Sequence, residues 1–295
     1  MPELTRFKEV RVLLADTRAE IRGTLRTALA LAGFERVSHT GSFDTIISAF
    51  GEDLGPDVLI CDMGMRSGEA CRMVRDIRHA AIGRNPFACI IGVTWNPADT
   101  DVRRIVDSGV DVLIAAPLSP RQVLDRINAL VVRRASFVVT TDYVGPDRRG
   151  ASREPSLIPL LNVPNTLRSK VRGEWNFSTM QREIQRAAAD VKATRTERQG
   201  EAISQIATLL ADAPEPSELN LQAIRLHKIL RELEARATEP EFRHTADLCR
   251  FCRRIVEKVR TSGAPPSEKE LQFLHQLGEA IGRMVQRRSA ERANG

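Results

Sequence analysis

The chain has 295 residues, 42% apolar and 28% charged, enough for two compact units, which excludes both a wholly disordered chain and a small disulfide-held scaffold. No window approaches the roughly 20 uninterrupted apolar residues of a membrane helix, and Met1-Pro2-Glu3-Leu4-Thr5-Arg6 opens no apolar signal core; a cytoplasmic protein without a membrane partner is expected. The formal charge of +6 reflects 44 basic and 38 acidic residues, but only six of the 44 are Lys and the 38 Arg are dispersed among acids, unlike a phosphate-binding stripe, so nucleic acid is not an expected partner.

In chain order, the first half alternates short apolar runs with helical patterns. Val12-Leu13-Leu14-Ala15 reads as a buried strand, followed by a helix from Glu20 to Ala32 that stops at Gly33. Val37–Thr40 is a second strand, with a helix from a Ser42 cap through Phe50. Val58–Cys61, Cys89–Val93 and Val112–Ala115 are further strands, with helices over about 69–81, 97–107 and 119–132. Continuous apolar strands, each followed by an amphipathic helix, need crossover connections and hence a parallel sheet covered on both faces. Five such units make an open doubly wound α/β domain.

Residues 135–177 break this pattern. Gly145-Pro146, Gly150, Pro155, Pro159, Pro164 and Gly173 punctuate the segment, which reads as a linker or an arm laid on a neighbour. Beyond it, start signals recur at Ser178-x-x-Gln181, at Ser217 after Pro214 and Pro216, at Thr238-x-x-Glu241 and at Ser267-x-x-Glu270. They open helices over about 178–211, with a break considered near Gly200, then 217–237, 239–261 and 267–291. Stripes such as Phe242, Ala246, Cys249, Cys252 or Arg253, Val256, Val259 and Leu271, Leu274, Leu277, Ile281, Met284 predict a helical bundle over 178–292.

In an open parallel sheet the functional crevice lies beyond the C-terminal strand ends. Strand one ends on Asp16 and Thr17, strand three on Asp62, strand four on Thr94 and Trp95, and strand five on Ala115-Ala116-Pro117. Two carboxylates and a hydroxyl would converge there, a donor set suited to a hard cation such as Mg²⁺ beside a phosphoryl oxygen.

With Asp16, the run Pro56-Asp57-Val58-Leu59-Ile60-Cys61-Asp62, Asn85-Pro86-Phe87, Thr94, Ser108-Gly109 and Pro117, residues 9–134 resemble the receiver (CheY-like) domain of bacterial two-component response regulators. The resemblance implies a flavodoxin-like sheet of strand order 2-1-3-4-5. It makes Asp62 the phosphoacceptor, Asp16 and Asp62 part of a magnesium pocket, and Thr94 the switch hydroxyl. It implies a histidine kinase or phosphotransfer protein as donor and an output partner that docks differently afterwards, so the chain would be a phosphoacceptor rather than an enzyme. Several family positions are altered. Thr17 stands where a second acid is usual, Ala116 where a Lys clamps the phosphoryl oxygen, Leu113 where an aromatic swings inward, and Trp95 where a small residue follows the switch Thr. The loop from Asp62 to Gly68 is two residues short and lacks its proline. Weak or absent Mg²⁺ binding follows from Thr17, and a rival reading is a scaffold that never carries phosphate.

Other signals are weaker. Residues 141–149 contain the single Tyr, Tyr143, and resemble a short motif that trails some receivers; either a turn at Gly145-Pro146 or a pin of the arm to a partner or to the receiver, made by Tyr143 and the Arg pair, fits it. Arg168, Lys170 and Arg172 neighbour Trp175 and Phe177, read as a linker that anchors Trp175 on the bundle. Cys249-x-x-Cys252 lacks a second ligand pair for zinc. His227, His244 and His275 fall on predicted helices without the Lys and Gly spacing of a phosphotransfer histidine, and no basic recognition helix suggests a DNA-binding regulator.

Overall fold

A computed structural model of the chain describes residues 6–95, 97–149, 158–212, 215–236 and 243–293. The chain divides into two compact units, Met1–Val191 and Lys192–Gly295.

The first unit is built on five parallel strands, β1 Arg11–Ala15, β2 Arg36–Thr40, β3 Val58–Asp62, β4 Cys89–Thr94 and β5 Val112–Ala115. They lie in the order β2-β1-β3-β4-β5, as expected. The connecting helices are α1 Ala19–Leu31, α2 Phe43–Gly51, α3 Glu69–Arg78, α4 Asp99–Val106 and α5 Pro120–Val132.

Strand alternation sends successive side chains to opposite faces. Val12, Leu14, Val58, Ile60, Ile91 and Val93 meet Leu25, Leu29, Val123 and Ile127 on one face, while Leu13, Leu59, Cys61 and Ile90 meet Ile46, Phe50, Val74 and Ile77 on the other. Both faces of the central strands are covered, so apolar runs rather than alternation mark them. Parallel register sets Asp62 opposite Val93 and Ala15 opposite Cys61, which brings the strand ends and their acids to one edge.

Helix starts differ in detail from the sequence reading. Ser119 forms a full capping box with Gln122, whereas the Ser42 side chain makes no cap; instead its N–H donates to Thr40 Oγ1 at 2.9 Å.

The segment expected to be irregular carries regular structure. Strands β6 Phe137–Val139 and β7 Val144–Pro146 form an antiparallel hairpin, and α6 spans Thr166–Val171. Phe137 is wholly buried and meets Phe87 edge-on at 5.9 Å between ring centres. Trp175 packs with Leu54, Phe87, Met180 and Ile184 in this same unit, so its anchor is the first unit and not the bundle. Helix α7 runs Phe177–Asp212 without a break at Gly200. The boundary between the units therefore falls inside α7, at Val191, rather than at 178. Asn176 Oδ1, not Ser178, accepts the first-turn N–H, from Thr179 at 2.9 Å.

The second unit continues with α8 Pro216–Ala235, α9 Arg243–Ser262 and α10 Glu268–Ala293. Its core gathers Ile203, Leu210, Leu226, Leu230, Cys249, Cys252, Val256, Leu274 and Ile281. Cys252, not Arg253, takes the inward position on α9. The N–H and Oγ of Ser267 both donate to Glu270 Oε2 at 2.8 Å, the expected start of α10. Thr238, Glu241 and Phe242, together with the side chains of His244 and Met284, lie outside the described residues.

Candidate functional site

The acids at the ends of β1 and β3 do converge. Asp16 and Asp62 are both buried, at 6% and 8% exposure, and Thr94 is buried at the end of β4. What the sequence reading missed lies between them. Arg18, two residues after Asp16, folds back so that its N–H and Nε donate to Asp16 Oδ1, each at 2.8 Å. Its Nη2 donates to Asp16 Oδ2 at 2.8 Å and to Asp62 Oδ2 at 2.9 Å. One guanidinium nitrogen thus bridges the two carboxylates. The Trp95 ring covers the same guanidinium, with 3.6 Å from its carbon to the ring centre, a partly exposed cation–π contact. Arg22 Nη1 donates to the Asp16 backbone carbonyl at 2.6 Å.

The second oxygen of Asp62, Oδ1, accepts from the Gly64 N–H at 3.0 Å. Burial pushes the Asp62 carboxyl up, and nearby Asp16 pushes it further; the Gly64 N–H and Arg18 oppose them without cancelling the rise. The Asp16 hydrogen bond holds Arg18 above its ordinary value. Next to Asp62 opens a cleft lined by Thr17, Arg18, Gly64, Thr94, Trp95 and Arg104. Arg104, on α4, lies so close to Gly68 that a Cβ there would sit 2.8 Å from Nη1. Gly68 has φ +93°, a conformation that favours glycine, and it follows Arg66 and Ser67 at φ 47° and 51°. This short left-handed run lets α3 start close behind Asp62.

The altered family positions can now be placed. Thr17 is exposed at the cleft rim and adds no carboxylate. Ala116 offers no cation; its N–H donates to the Thr94 carbonyl at 2.8 Å, and its peptide to Pro117 is cis. Leu113 is half-buried beside the core formed with α2 and α3. Trp95 is 41% exposed, a lid on Arg18 rather than a core residue.

Magnesium, implied by the resemblance, does not fit the pocket as it is built. Both carboxylates already share the Arg18 cation, position 17 brings no third acid, and among the described residues no three His, Cys, Asp or Glu side chains gather into a metal site. Mg²⁺ needs oxygen ligands at about 2.0–2.1 Å in octahedral array; here the Arg18 guanidinium holds both oxygens of Asp16 and Oδ2 of Asp62, and the Gly64 N–H holds Asp62 Oδ1.

The remaining candidates are structural. Lys170 Nζ donates to Asp57 Oδ2 at 2.7 Å, with both side chains buried, and lies 4.4 Å from the Trp175 ring centre. In the 141–149 segment, Tyr143 donates to the Pro146 carbonyl at 2.8 Å and Arg148 donates to the Val110 carbonyl. His227 and His275 are half-buried on α8 and α10, and burial lowers the His227 value. Cys249 and Cys252 face the bundle core.

No family model matches the chain. It is similar to the phosphate regulon transcriptional regulatory protein PhoB of Klebsiella pneumoniae, 25% identical over 146 residues that cover 50% of this chain and 61% of the relative. The Escherichia coli PhoB is 24% identical over the same shares. The chain thus spans 61% of the length of these relatives. Among solved structures, the chemotaxis response regulator CheY4 of Vibrio cholerae is 19% identical, covering 41% of this chain and 98% of that one, with a TM-score of 0.36. Among the described residues no helix is long and apolar enough to cross a membrane. The N-terminal domain of this chain has the receiver (CheY-like) fold, with strand order β2-β1-β3-β4-β5, and is similar over this stretch to response regulators; a helical region outside the resemblance follows.

Proposed function

We propose that the protein works in a two-component phosphorelay, where Asp62 accepts a phosphoryl group from the phosphohistidine of a histidine kinase or phosphotransfer protein. In that exchange the phosphorus–nitrogen bond breaks as a bond to a carboxylate oxygen forms, and the imidazole nitrogen released takes up a proton. The observation that carries this reading is the cleft beside Asp62, which sets Thr94, the Gly64 N–H and two guanidiniums around the space a phosphoryl group would fill. Donors aimed at developing phosphoryl charge are what such a transfer requires. The protein is then a signalling phosphoacceptor of the cytoplasm rather than an enzyme. Its output is a changed docking surface for a protein partner.

A specific observation favours a second reading. Arg18 holds Asp62 Oδ2, and Ala116 supplies no cation, so the receiver would dock its partners without ever carrying phosphate. Incubating the purified chain with acetyl phosphate, with and without Mg²⁺, separates the two. An adduct of about 80 Da that Asp62→Ala abolishes supports acceptance. Its absence at saturating donor leaves the docking module as the function.

A further inference from the structure

The positive charge at the centre of the pocket belongs to the chain itself. A divalent cation in a carboxylate pair neutralises both groups and fixes their oxygens relative to each other. Here Nη2 of Arg18 meets Asp16 Oδ2 at 2.8 Å and Asp62 Oδ2 at 2.9 Å, so one atom performs both tasks. Nε of the same side chain holds Asp16 Oδ1, a two-point contact that fixes the plane of the fork. The Trp95 ring closes one side of the guanidinium at 3.6 Å. Arg22 takes up the Asp16 carbonyl, a further oxygen at the same strand end. One guanidinium thus bridges both carboxylates, and a second arginine holds the backbone carbonyl beside them.

We infer that Arg18 is the resident cation of this receiver, taking the place of the divalent metal, and that the pocket is metal-independent. A metal could enter only by pushing aside a guanidinium held by three hydrogen bonds and an aromatic face. It would also face the repulsion of that charge at short range. The inference concerns the cation alone and holds whether or not Asp62 accepts a phosphoryl group.

Binding of Mn²⁺ to the 295-residue chain, followed by the loss of free Mn²⁺ signal in electron paramagnetic resonance, tests it directly. The wild type is expected to bind no Mn²⁺ at millimolar concentration. Arg18→Ala vacates the place between the carboxylates, and Thr17→Asp with Arg18→Ala also supplies a third acid. The double variant is expected to bind one Mn²⁺ at least about tenfold more tightly than the wild type. Circular dichroism verifies that each variant is folded. Trp95 fluorescence, read in a Trp175→Phe background, is expected to respond to Mn²⁺ only when Arg18 is gone. Stoichiometric binding by the wild type with the variants' affinity would overturn the inference. So would a folded double variant that still binds nothing, because the place held by Arg18 would then not be a cation's place. An Asp62 adduct that forms equally in chelator and in Mg²⁺ would be a second, independent support, and one that needs Mg²⁺ would overturn metal independence while leaving phosphoacceptance intact.

Discussion

Arg78 and Asp111 form an ion pair of 2.9 Å in which both side chains are shut off from solvent. Arg78 also donates to the carbonyls of Gly109, Pro86 and Ala88 at 2.7–2.8 Å, and Arg134 supplies Asp111 with a second guanidinium at 2.7 Å. The network ties the end of α3 to the segments that lead into β4 and β5. It is fully bonded, which is the condition under which buried charge is tolerable.

Arg78→Leu removes a partner from Asp111 and takes the guanidinium donor from the buried Gly109 and Pro86 carbonyls, while the Ala88 carbonyl keeps Arg134 Nη2 at 3.2 Å. Urea unfolding is expected to show a loss of about 3 kcal/mol or more. Burial alone would push the Asp111 carboxyl up, but Arg134 and Arg78 together hold it below the ordinary carboxylate range. A depressed folded value contributes stability that is complete above the ordinary range and is lost as pH falls through the folded value. Acid unfolding of Arg78→Leu is therefore expected to begin at higher pH than in the wild type. A loss below about 1 kcal/mol would mean the network is dispensable.

Asp62 carries the opposite sign. Its folded value is raised, chiefly by burial, so its contribution to stability is complete below the ordinary carboxylate range and lost as pH rises through the folded value. Asp62→Asn is expected to gain stability relative to the wild type between acidic and neutral pH, as read from melting temperatures across that range. A difference that is flat with pH, or that shrinks toward neutrality, contradicts the assignment.

The Tyr143 segment makes a local prediction. A Cβ on Gly145 would lie 2.8 Å from the Gly109 Cα and 2.7 Å from the Tyr143 hydroxyl, so Gly145→Ala must push apart two backbones. It is expected to cost about 1–3 kcal/mol. Tyr143→Phe, which loses one hydrogen bond to Pro146, should cost about 1 kcal/mol. Equal effects of the two in thermal denaturation would show that the close approach at Gly109 does not matter.

All five cysteines are free and buried. Burial pushes the Cys89 and Cys249 thiols up to about 12 and Cys252 to about 11, far from the reactive thiolate. Native protein at neutral pH is expected to react negligibly with a disulfide reagent, and all five thiols should react once the chain is unfolded in denaturant. Fast labelling of Cys249 or Cys252 in the native state would remove them from the bundle core.

The receiver fold was legible because its elements are local. Apolar runs such as Val58–Cys61 and the glycine stops report a two-faced parallel sheet through periodicity alone, and the C-terminal helices report themselves through stripes such as Leu274, Leu277 and Ile281. Asp16, Asp62 and Thr94 were legible for the same reason, since a parallel sheet carries every strand's last residue to one edge. Arg18 was not: it is one of 38 arginines, and nothing in its spacing says that its long side chain turns back to Asp16 and also reaches Asp62, 44 residues further along the chain. The order of the arm, too, came from distant partners. Phe137 finds Phe87, and Lys170 finds Asp57 across 113 residues. Sequence alone determined the five strand–helix units, the C-terminal helices and which acids meet; tertiary structure decided the order of the arm and which cation meets the acids, because a guanidinium's partners are chosen by distance and burial in the folded chain rather than by any local period.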